Sequence, residues 1–243
     1  MINIHCLKFD ESIVEGWANP DNHDRGIGWM DHPSAPARIV MKDFNPFPLQ
    51  FPCSLDDIYA VRRDALETLT NQGCGLVESD VISRSDLGPQ PIKIVREIAK
   101  QPQNPKGMSY KGAIYIPMGD TNFIIRVWCF EVGVTGMRDS VIASKLAGEG
   151  FVMDPSSPDW GGWWLDEYGL GPAPIRKNLS EDAKYDQMFP DHPLSITRNL
   201  LGRIEQSLRF DPNAQPPQQS PPQQPPQNPK GKGFFGGLFG GKN

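Results

Sequence analysis

The chain has 243 residues, of which 38% are hydrophobic and 22% are charged, and its formal net charge is −5. This length and composition allow a sizeable core in one large or two small domains. Residues 215–243 hold three lysines and no acid, so the first 214 residues carry a charge of −8. Such a surface repels phosphate, and no Lys/Arg cluster with interleaved aromatic residues occurs, which argues against a nucleic-acid-binding protein.

The cysteines and the amino end together predict a cellular compartment. The spacing of Cys6, Cys53, Cys74 and Cys129 contains no C-x-x-C pair and favours four buried free thiols over two disulfides. The opening segment, MINIHCLKFDES, lacks the basic region and apolar run of a secretory signal. No uncharged apolar run approaches the roughly 20 residues that span a bilayer. We therefore expect a cytoplasmic protein, with contact at a membrane surface left open.

The first third of the chain predicts two strands, a loop and a helix. Residues 2–9 alternate as an opening strand, 10–36 are rich in Gly, Asp, Asn and Pro and predict a long ordered loop, and 38–43 predict a second strand. Ser54 is followed three residues later by an acid, as at the start of a helix. Apolar residues then recur at helical spacing up to Gly73, which predicts a helix over 55–71.

The middle of the chain predicts the core of an antiparallel sheet. Residues 75–83 favour a strand, whereas 91–100 fit either a strand or a helix opened by a proline. Residues 123–131 are apolar on both faces, so we expect this strand at the sheet centre with cover on both sides. Its predicted hairpin partner is 113–116, joined through a turn longer than two residues over 118–121.

The last third predicts helices around an irregular, tryptophan-rich insert. Residues 137–146 favour a short helix, and the insert at about 148–192 contains many prolines, glycines and acids. Ser180 is a predicted cap for a short helix reaching Met188. Pro193 opens a final predicted helix, to about Arg209, whose apolar residues form a single stripe.

An abrupt change of composition follows residue 211. Residues 212–232 are rich in Pro and Gln and contain no large apolar residue, which predicts a disordered linker. In extended polyproline geometry, at about 3.1 Å per residue, 212–229 would reach roughly 55 Å. The sequence thus predicts one globular domain over 1–211, a linker over 212–232 and a Gly/Phe motif, GFFGGLFGGKN, over 233–243.

This series of elements indicates an α+β fold, an antiparallel sheet with helices covering both faces. It resembles the PsbP-like superfamily, which includes the DcrB-like and LpqN-like bacterial proteins. The resemblance spans about 38–209 and rests on SLDDIYAVRRDAL, GLVESDVISRSDLG through PIKIVREI, YKGAIYIPMGDTNFIIRVWCFE and LSITRNLLGRIEQSL. It implies a PsbP-like α/β/α sandwich without catalytic activity, because known members are mostly accessory subunits, adaptors, lipoproteins and chaperones of secreted effectors. It also implies an unknown protein partner related to secretion systems or effectors.

Two short phrases also look like signatures of a bacterial family without an assigned activity. The first is EVGVTGMR, over 131–138, and the second runs from Tyr185-Asp186 to FPDHPL, ending at residue 194. Glu131 and Arg138 flank a glycine turn in the first phrase and are expected to pair across it. No mechanism follows from either phrase.

An alternative function is a hydrolase or a small-ligand-binding enzyme, with a cleft between the Trp-rich insert and the sheet. Its candidate residues are His192 as a base and the carboxylates of Asp166 and Glu167. No H-E-x-x-H, G-x-S-x-G or paired-carboxylate spacing accompanies them. Because His192 precedes Pro193, where a side chain commonly caps a helix, a structural role is favoured.

Other candidate ligand sites are few. Trp160, Trp163 and Trp164 would either stack a ligand or fasten the insert to the sheet, and fastening is favoured. The four histidines form no ligand set and lack cysteines at metal spacing, so no metal is expected. Gly26-Ile27-Gly28 lacks the strand–glycine–helix context of a dinucleotide site, so no cofactor is expected either.

The terminal motif is the remaining candidate contact. Its apolar side chains stand apart from the predicted core, and clusters of this kind usually meet a protein partner or a membrane. An end of the chain without any role is the third possibility. The sequence therefore predicts a non-catalytic interaction or adaptor module whose tail contacts a protein partner or membrane surface through Phe234, Phe235, Leu238, Phe239, Lys230 and Lys232.

Overall fold

The computed structural model describes residues 2–166, 168–171 and 173–214, apart from the side chain of Asp21. Within these residues the chain forms a seven-stranded antiparallel sheet, a two-stranded ribbon and three α-helices, which confirms the α+β class. The strands are β1 (Leu7–Lys8), β2 (Ala18–His23), β3 (Gly26–Met30), β4 (Arg38–Asn45), β5 (Gly75–Arg84), β6 (Ile92–Pro102), β7 (Met108–Met118), β8 (Thr121–Phe130) and β9 (Arg209–Phe210). The helices are α1 (Ile58–Asn71), α2 (Met137–Gly148) and α3 (Pro193–Ser207).

The large sheet has the order β2-β3-β4-β8-β7-β6-β5, so β8 lies at its centre as predicted. β8 pairs with β4 on one side and with β7 on the other, in antiparallel register. The β7–β8 connection is shorter than predicted, because Met118 pairs directly with Thr121 and leaves a two-residue turn. Gly119 supplies the positive φ, 67°, that a tight hairpin turn of this kind requires.

The inner face of β8 is fully buried under α3. Phe123, Ile125, Val127 and Cys129 are at most 1% exposed. Gly112 of β7 lies beside them, and a Cβ at this position would collide with Leu201 of α3. The apolar stripe of α3 therefore lies directly on the centre of the sheet, which accounts for its complete burial.

The outer face of β8 lacks such a layer, and the expectation of cover on both sides of this strand is wrong. Ile124, Arg126, Trp128 and Phe130 are only partly buried. Helices do cover both faces of the sheet, but α1 covers the outer face near β5, away from β8. A helix 14 residues long is about 21 Å long and cannot cover seven strands. Arg126 instead forms an ion pair with Asp43 of β4.

The amino-terminal segment differs from its prediction. Residues 2–9 form a 3-10 turn and the two-residue strand β1 instead of one opening strand. The predicted loop over 10–36 contains the β2–β3 hairpin. In β3 the pattern is small–large, with Gly26 and Gly28 alternating with Ile27 and Trp29. Glycine is typical of turns, and its presence here conceals the alternation that marks a strand.

Capping residues account for the remaining differences between the predicted and the observed starts of the helical segments. α1 begins at Ile58 because the carboxylate of Asp57 accepts from the amides of Tyr59 and Ala60, at 3.1 and 3.0 Å. The predicted cap, Ser54, instead accepts from the amide of Asp56 within a turn. Ser180 likewise does not cap a helix, since 179–188 form two 3-10 turns capped by Asn178 and Asp182.

The ambiguous segment 91–100 is a strand, β6, paired on both sides. The four cysteines are free, as expected, and Cys53 is only half-buried.

Candidate functional site

The two phrases noted in the sequence, 131–138 and 185–194, meet at the end of the sheet where β8 stops. Here α2 and α3 both begin, and the two segments enclose a cavity of about 330 Å³. We call this cavity the Val134 groove, and its apolar lining includes Phe130, Val132, Val134, Met137, Met188 and Phe189. Its volume lies at the lower end of the range of about 300–1,000 Å³ for ligand pockets.

The walls of the Val134 groove are unusually exposed for apolar side chains. Val132 is 68% exposed, Val134 71%, Met137 51% and Met188 49%. Single exposed apolar side chains are common on proteins, but a contiguous group marks a contact surface. Four of the ten exposed large apolar side chains among the described residues belong to this one groove. The exposure is therefore concentrated here.

Glu131 shapes the loop that carries the two valines. Its carboxylate accepts hydrogen bonds from the amides of Met108, at 2.9 Å, and Gly136, at 2.7 Å. Its own amide donates to the side chain of Gln103. The loop is thus fixed at both ends, and Val132 and Val134 project between them. The expected pairing of Glu131 with Arg138 is not among the hydrogen bonds of the described residues.

Arg138 forms the floor of the groove and is 1% exposed. Its guanidinium donates to the carbonyl of Ser180 at 2.7 Å, the hydroxyl of Ser195 at 2.9 Å and the carbonyl of Asp182 at 3.1 Å. It also forms an ion pair with Asp186 at 2.9 Å. These bonds join α2, the 3-10 turns and α3. The guanidinium is therefore already occupied by internal acceptors and serves to hold the two walls together.

His192 lies at the first turn of α3 and is its N-cap. Its Nδ1 accepts from the amide of Leu194 at 3.2 Å, and its ring packs edge-on against Tyr110 with centroids 5.5 Å apart. Burial, together with the charge of Arg138, lowers the pKa of His192 to about 4. A neutral imidazole with this pKa and with Nδ1 engaged in capping is a weak base near neutral pH.

The cap makes stability depend on pH in a testable way. The unfolded chain protonates His192 near pH 6.5, whereas the folded chain does so only near pH 4. Between these values the unfolded state binds the additional proton, so the free energy of unfolding should fall as pH decreases from about 7 to 4. His192→Asn keeps a capping oxygen without this titration. Urea unfolding should show a shallower pH dependence for this variant, and identical slopes for both proteins would contradict the prediction.

Asp166 takes no part in this site. Its carboxylate accepts from the amides of Leu170, at 2.8 Å, and Gly171, at 3.0 Å, and so closes a turn of the insert. Glu167 lies outside the described residues. No hydrogen bond joins His192 to Asp166 in the described part of the chain. The predicted cleft between insert and sheet, lined by Leu76 and Tyr168 among others, has a volume of about 30 Å³, far below the roughly 300 Å³ at which ligand pockets begin.

Of the three tryptophans of the insert, Trp163 is buried and Trp164 is partly buried, whereas Trp160 is 43% exposed. Trp163 is 5% exposed and contacts Ile142 of α2 and Tyr185 in a second, smaller core. Trp160 and Trp164 meet edge to face, with centroids 6.0 Å apart. Lys100 lies over the ring of Trp164. The contacts of Trp163 and Trp164 fasten the insert to α2 and the sheet, and the rings of Trp160 and Trp164 are not parallel.

A buried ionic network behind the groove has no counterpart in the sequence analysis. The carboxylate of Glu181 accepts from Lys100 Nζ at 2.7 Å, from the hydroxyl of Tyr110 at 2.8 Å and from the amide of Asn178 at 2.9 Å. Burial and the neighbouring Glu181 carboxylate raise the pKa of Tyr110. Asn178 and Glu181 form a capping box, and this N-x-x-E spacing is the sequence signal that could have located the turn.

Other classes of site find little support in the described part of the chain. Over these residues, no group of three or more His, Cys, Asp or Glu side chains could hold a metal ion. No helix among them is both long and apolar enough to cross a bilayer. The predicted contact residues of the tail, Lys230, Lys232, Phe234, Phe235, Leu238 and Phe239, lie outside the described residues.

Comparison with known proteins shows a distant structural similarity. No family model matches the chain, and no curated protein matches it. Among solved structures, the chain is similar to the Ran-binding protein Mog1p of Saccharomyces cerevisiae, with 8% sequence identity and a TM-score of 0.42. The similarity covers 86% of this chain and 96% of that chain. A similarity of this extent assigns neither a partner nor a residue role to this chain.

Proposed function

We propose that this protein is a non-catalytic interaction module whose Val134 groove receives a short apolar segment of a protein partner. The observation that supports this most strongly is the concentration of exposed apolar side chains around one cavity, with Val134 71% exposed in its wall. Removing such side chains from water against a partner is favourable by about 25 cal/mol per Å² of apolar surface, before the entropic costs of association are subtracted. An interaction surface of this kind requires no reactive group.

The polar groups beneath the groove also favour binding over catalysis. Arg138 donates to four internal acceptors, and His192 caps α3 with its Nδ1. A catalytic base or an anion site needs side chains that are free to contact a substrate. Here these groups maintain the shape of the groove, as expected for a rigid docking surface.

We further propose that the terminal motif, 233–243, is a second contact of the same module. Its aromatic and lysine composition suits a groove on a protein partner, and a partner from a secretion or effector system would fit the implied superfamily. In this proposal the folded part and the tail act on one partner, as in an adaptor.

A charge in the groove tests this function. Val134→Asp should leave stability unchanged, because the side chain is exposed, and should weaken capture of the partner at least about 30-fold, since central contacts contribute about 2 kcal/mol or more. Val152→Asp is the matched control, because Val152 is 75% exposed and lies outside the groove. The measurement is quantitative affinity purification from the native host, comparing both variants with the unchanged chain.

The outcomes separate the candidate functions. A partner retained by Val152→Asp but lost from Val134→Asp supports the groove, and loss of the same partner on deleting residues 230–243 supports the tail. A partner list that is identical for all four proteins would overturn the proposed function. Pelleting with anionic vesicles that depends on residues 230–243 but not on Val134 would assign the tail to a membrane surface instead.

A further inference from the structure

We infer that, in the absence of a partner, the aromatic segment 233–239 of this same chain occupies the Val134 groove. This inference rests on the proposed function and adds its regulation, because a partner segment would have to displace the chain's own segment. The segment would then cover the groove in the free protein and, once displaced, would be available for the second contact with the same partner. Three features support this arrangement, namely the reach of the chain, the charge around the groove and the composition of the segment.

The first feature is the length of chain beyond the last described residue. α3 begins at the groove and ends beside the ribbon strand β9, after which the described chain stops at Ala214. The 15 residues of α3 span about 22 Å, so Ala214 and the groove lie near opposite ends of this helix. The 18 residues of 215–232 can reach about 55 Å in extended polyproline geometry. The linker is therefore long enough to return to the groove with length to spare.

The second feature is the sign of the charges around the groove. Asp191 is exposed at its rim, and Glu131 lies beside it. The cation in its lining, Arg138, is 1% exposed and already bound to internal acceptors. The tail carries three lysines and no acid, on a chain whose preceding part is strongly acidic. Opposite charges at the rim therefore favour the tail over a neutral or acidic segment.

The third feature is the pattern of the segment. Phe234 and Phe235 are followed, after two glycines, by Leu238 and Phe239. Glycines let a backbone approach a surface closely, so both apolar pairs can be presented to one narrow cavity. Because the segment is attached to the same chain, its effective concentration at the groove is on the order of 1 mM. A modest intrinsic affinity is then sufficient for occupancy.

The outer face of β8 is the competing apolar surface, and it fits less well. Trp128 and Ile124 are partly buried, whereas Val132, Val134, Met137 and Met188 of the groove are exposed. Lys111 pairs directly with Trp128 on this face and adds a positive charge, which disfavours a lysine-rich segment. This surface is therefore an alternative outcome of the experiment.

The experiment uses the full chain and a full-chain variant in which Phe234, Phe235, Leu238 and Phe239 are all replaced by serine. Amide hydrogen exchange should be several-fold faster over 131–138 and 188–192 in the serine variant, because the groove loses its cover. Adding a synthetic peptide of residues 230–243 should restore slow exchange in a saturable manner. Val134→Asp in the full chain should show the fast exchange, and Val152→Asp should not.

Three results of the exchange experiment would contradict the inference. Equal exchange over the groove in the full chain and the serine variant would overturn the inference. A difference confined to 124–128 would place the segment on the outer face of β8 and overturn it as well. Protection that increases with protein concentration would indicate docking into a second copy instead of the same chain. If the inference fails while Val134→Asp still loses its partner, the proposed function stands without this regulation.

Discussion

Replacing Arg138 by methionine should lower the free energy of unfolding by about 2–5 kcal/mol, measured by urea denaturation at neutral pH. Methionine fills a similar volume but cannot donate a hydrogen bond. The carbonyls of Ser180 and Asp182 would lose this donor, whereas the carboxylate of Asp186 would keep its ion pair with Arg198. Unsatisfied buried polar groups cost more than the hydrogen bonds themselves contribute, which explains the size of the effect.

Arg63→Met provides the control for this prediction. Arg63 is exposed on α1. Its replacement should change stability by less than about 0.5 kcal/mol, as is usual for surface positions. A loss of similar size in both variants would mean that Arg138 does not hold α2, the 3-10 turns and α3 together. Such a result would also remove the physical basis for a rigid groove.

Replacing Lys100 by methionine should be of comparable cost, about 3–5 kcal/mol, because it leaves the carboxylate of Glu181 buried without its cation. The side chains of Lys100 and Glu181 are 3% and 1% exposed, so water cannot replace the lost partner. The carboxylate would keep its hydrogen bonds from Tyr110 and Asn178. Urea denaturation of the variant and of the unchanged chain measures this difference in the free energy of unfolding. The m-value should be the same for both proteins.

A double-mutant cycle tests whether this loss comes from the stranded charge. Glu181→Gln retains an acceptor for Tyr110 while removing the negative charge. In the Lys100→Met background this second change should therefore recover part of the stability, with a coupling energy of about 1–3 kcal/mol. Strictly additive losses would contradict the prediction. Lys145, which pairs with Glu149 on the exposed side of α2, is a suitable control, and its replacement by methionine should cost less than about 1 kcal/mol.

Sequence patterns were most informative where the signal is local. The final helix was predicted from Pro193, and the structure begins α3 at that residue, because an apolar stripe and a helix-opening proline act within neighbouring turns. The central position of β8 also followed from its apolar content. The start of α1 was missed, since several possible caps precede it and the choice depends on where the helix packs against β5.

The candidate site was only partly predictable. The phrases 131–138 and 185–194 were recognised separately, but their meeting depends on Arg138 reaching residues more than 40 positions away. The proposed grouping of His192 with Asp166 did not form, because each side chain is occupied by backbone amides near it in the chain. Hydrogen bonds to nearby amides are formed at little entropic cost and take precedence over contacts that require a shared pocket.

The amino-acid pattern alone established the acidic charge of the first 214 residues, the cationic aromatic tail and the apolar residues available for a core. Composition and short-range spacing suffice for such properties, since they do not depend on which distant segments come together. Packing of distant segments decided that one face of β8 is open, that His192 is held neutral and that two valines line a groove. Burial, and the pKa changes that follow from it, depend on neighbours brought close by the fold, because desolvation acts over a few ångströms of space and not along the chain.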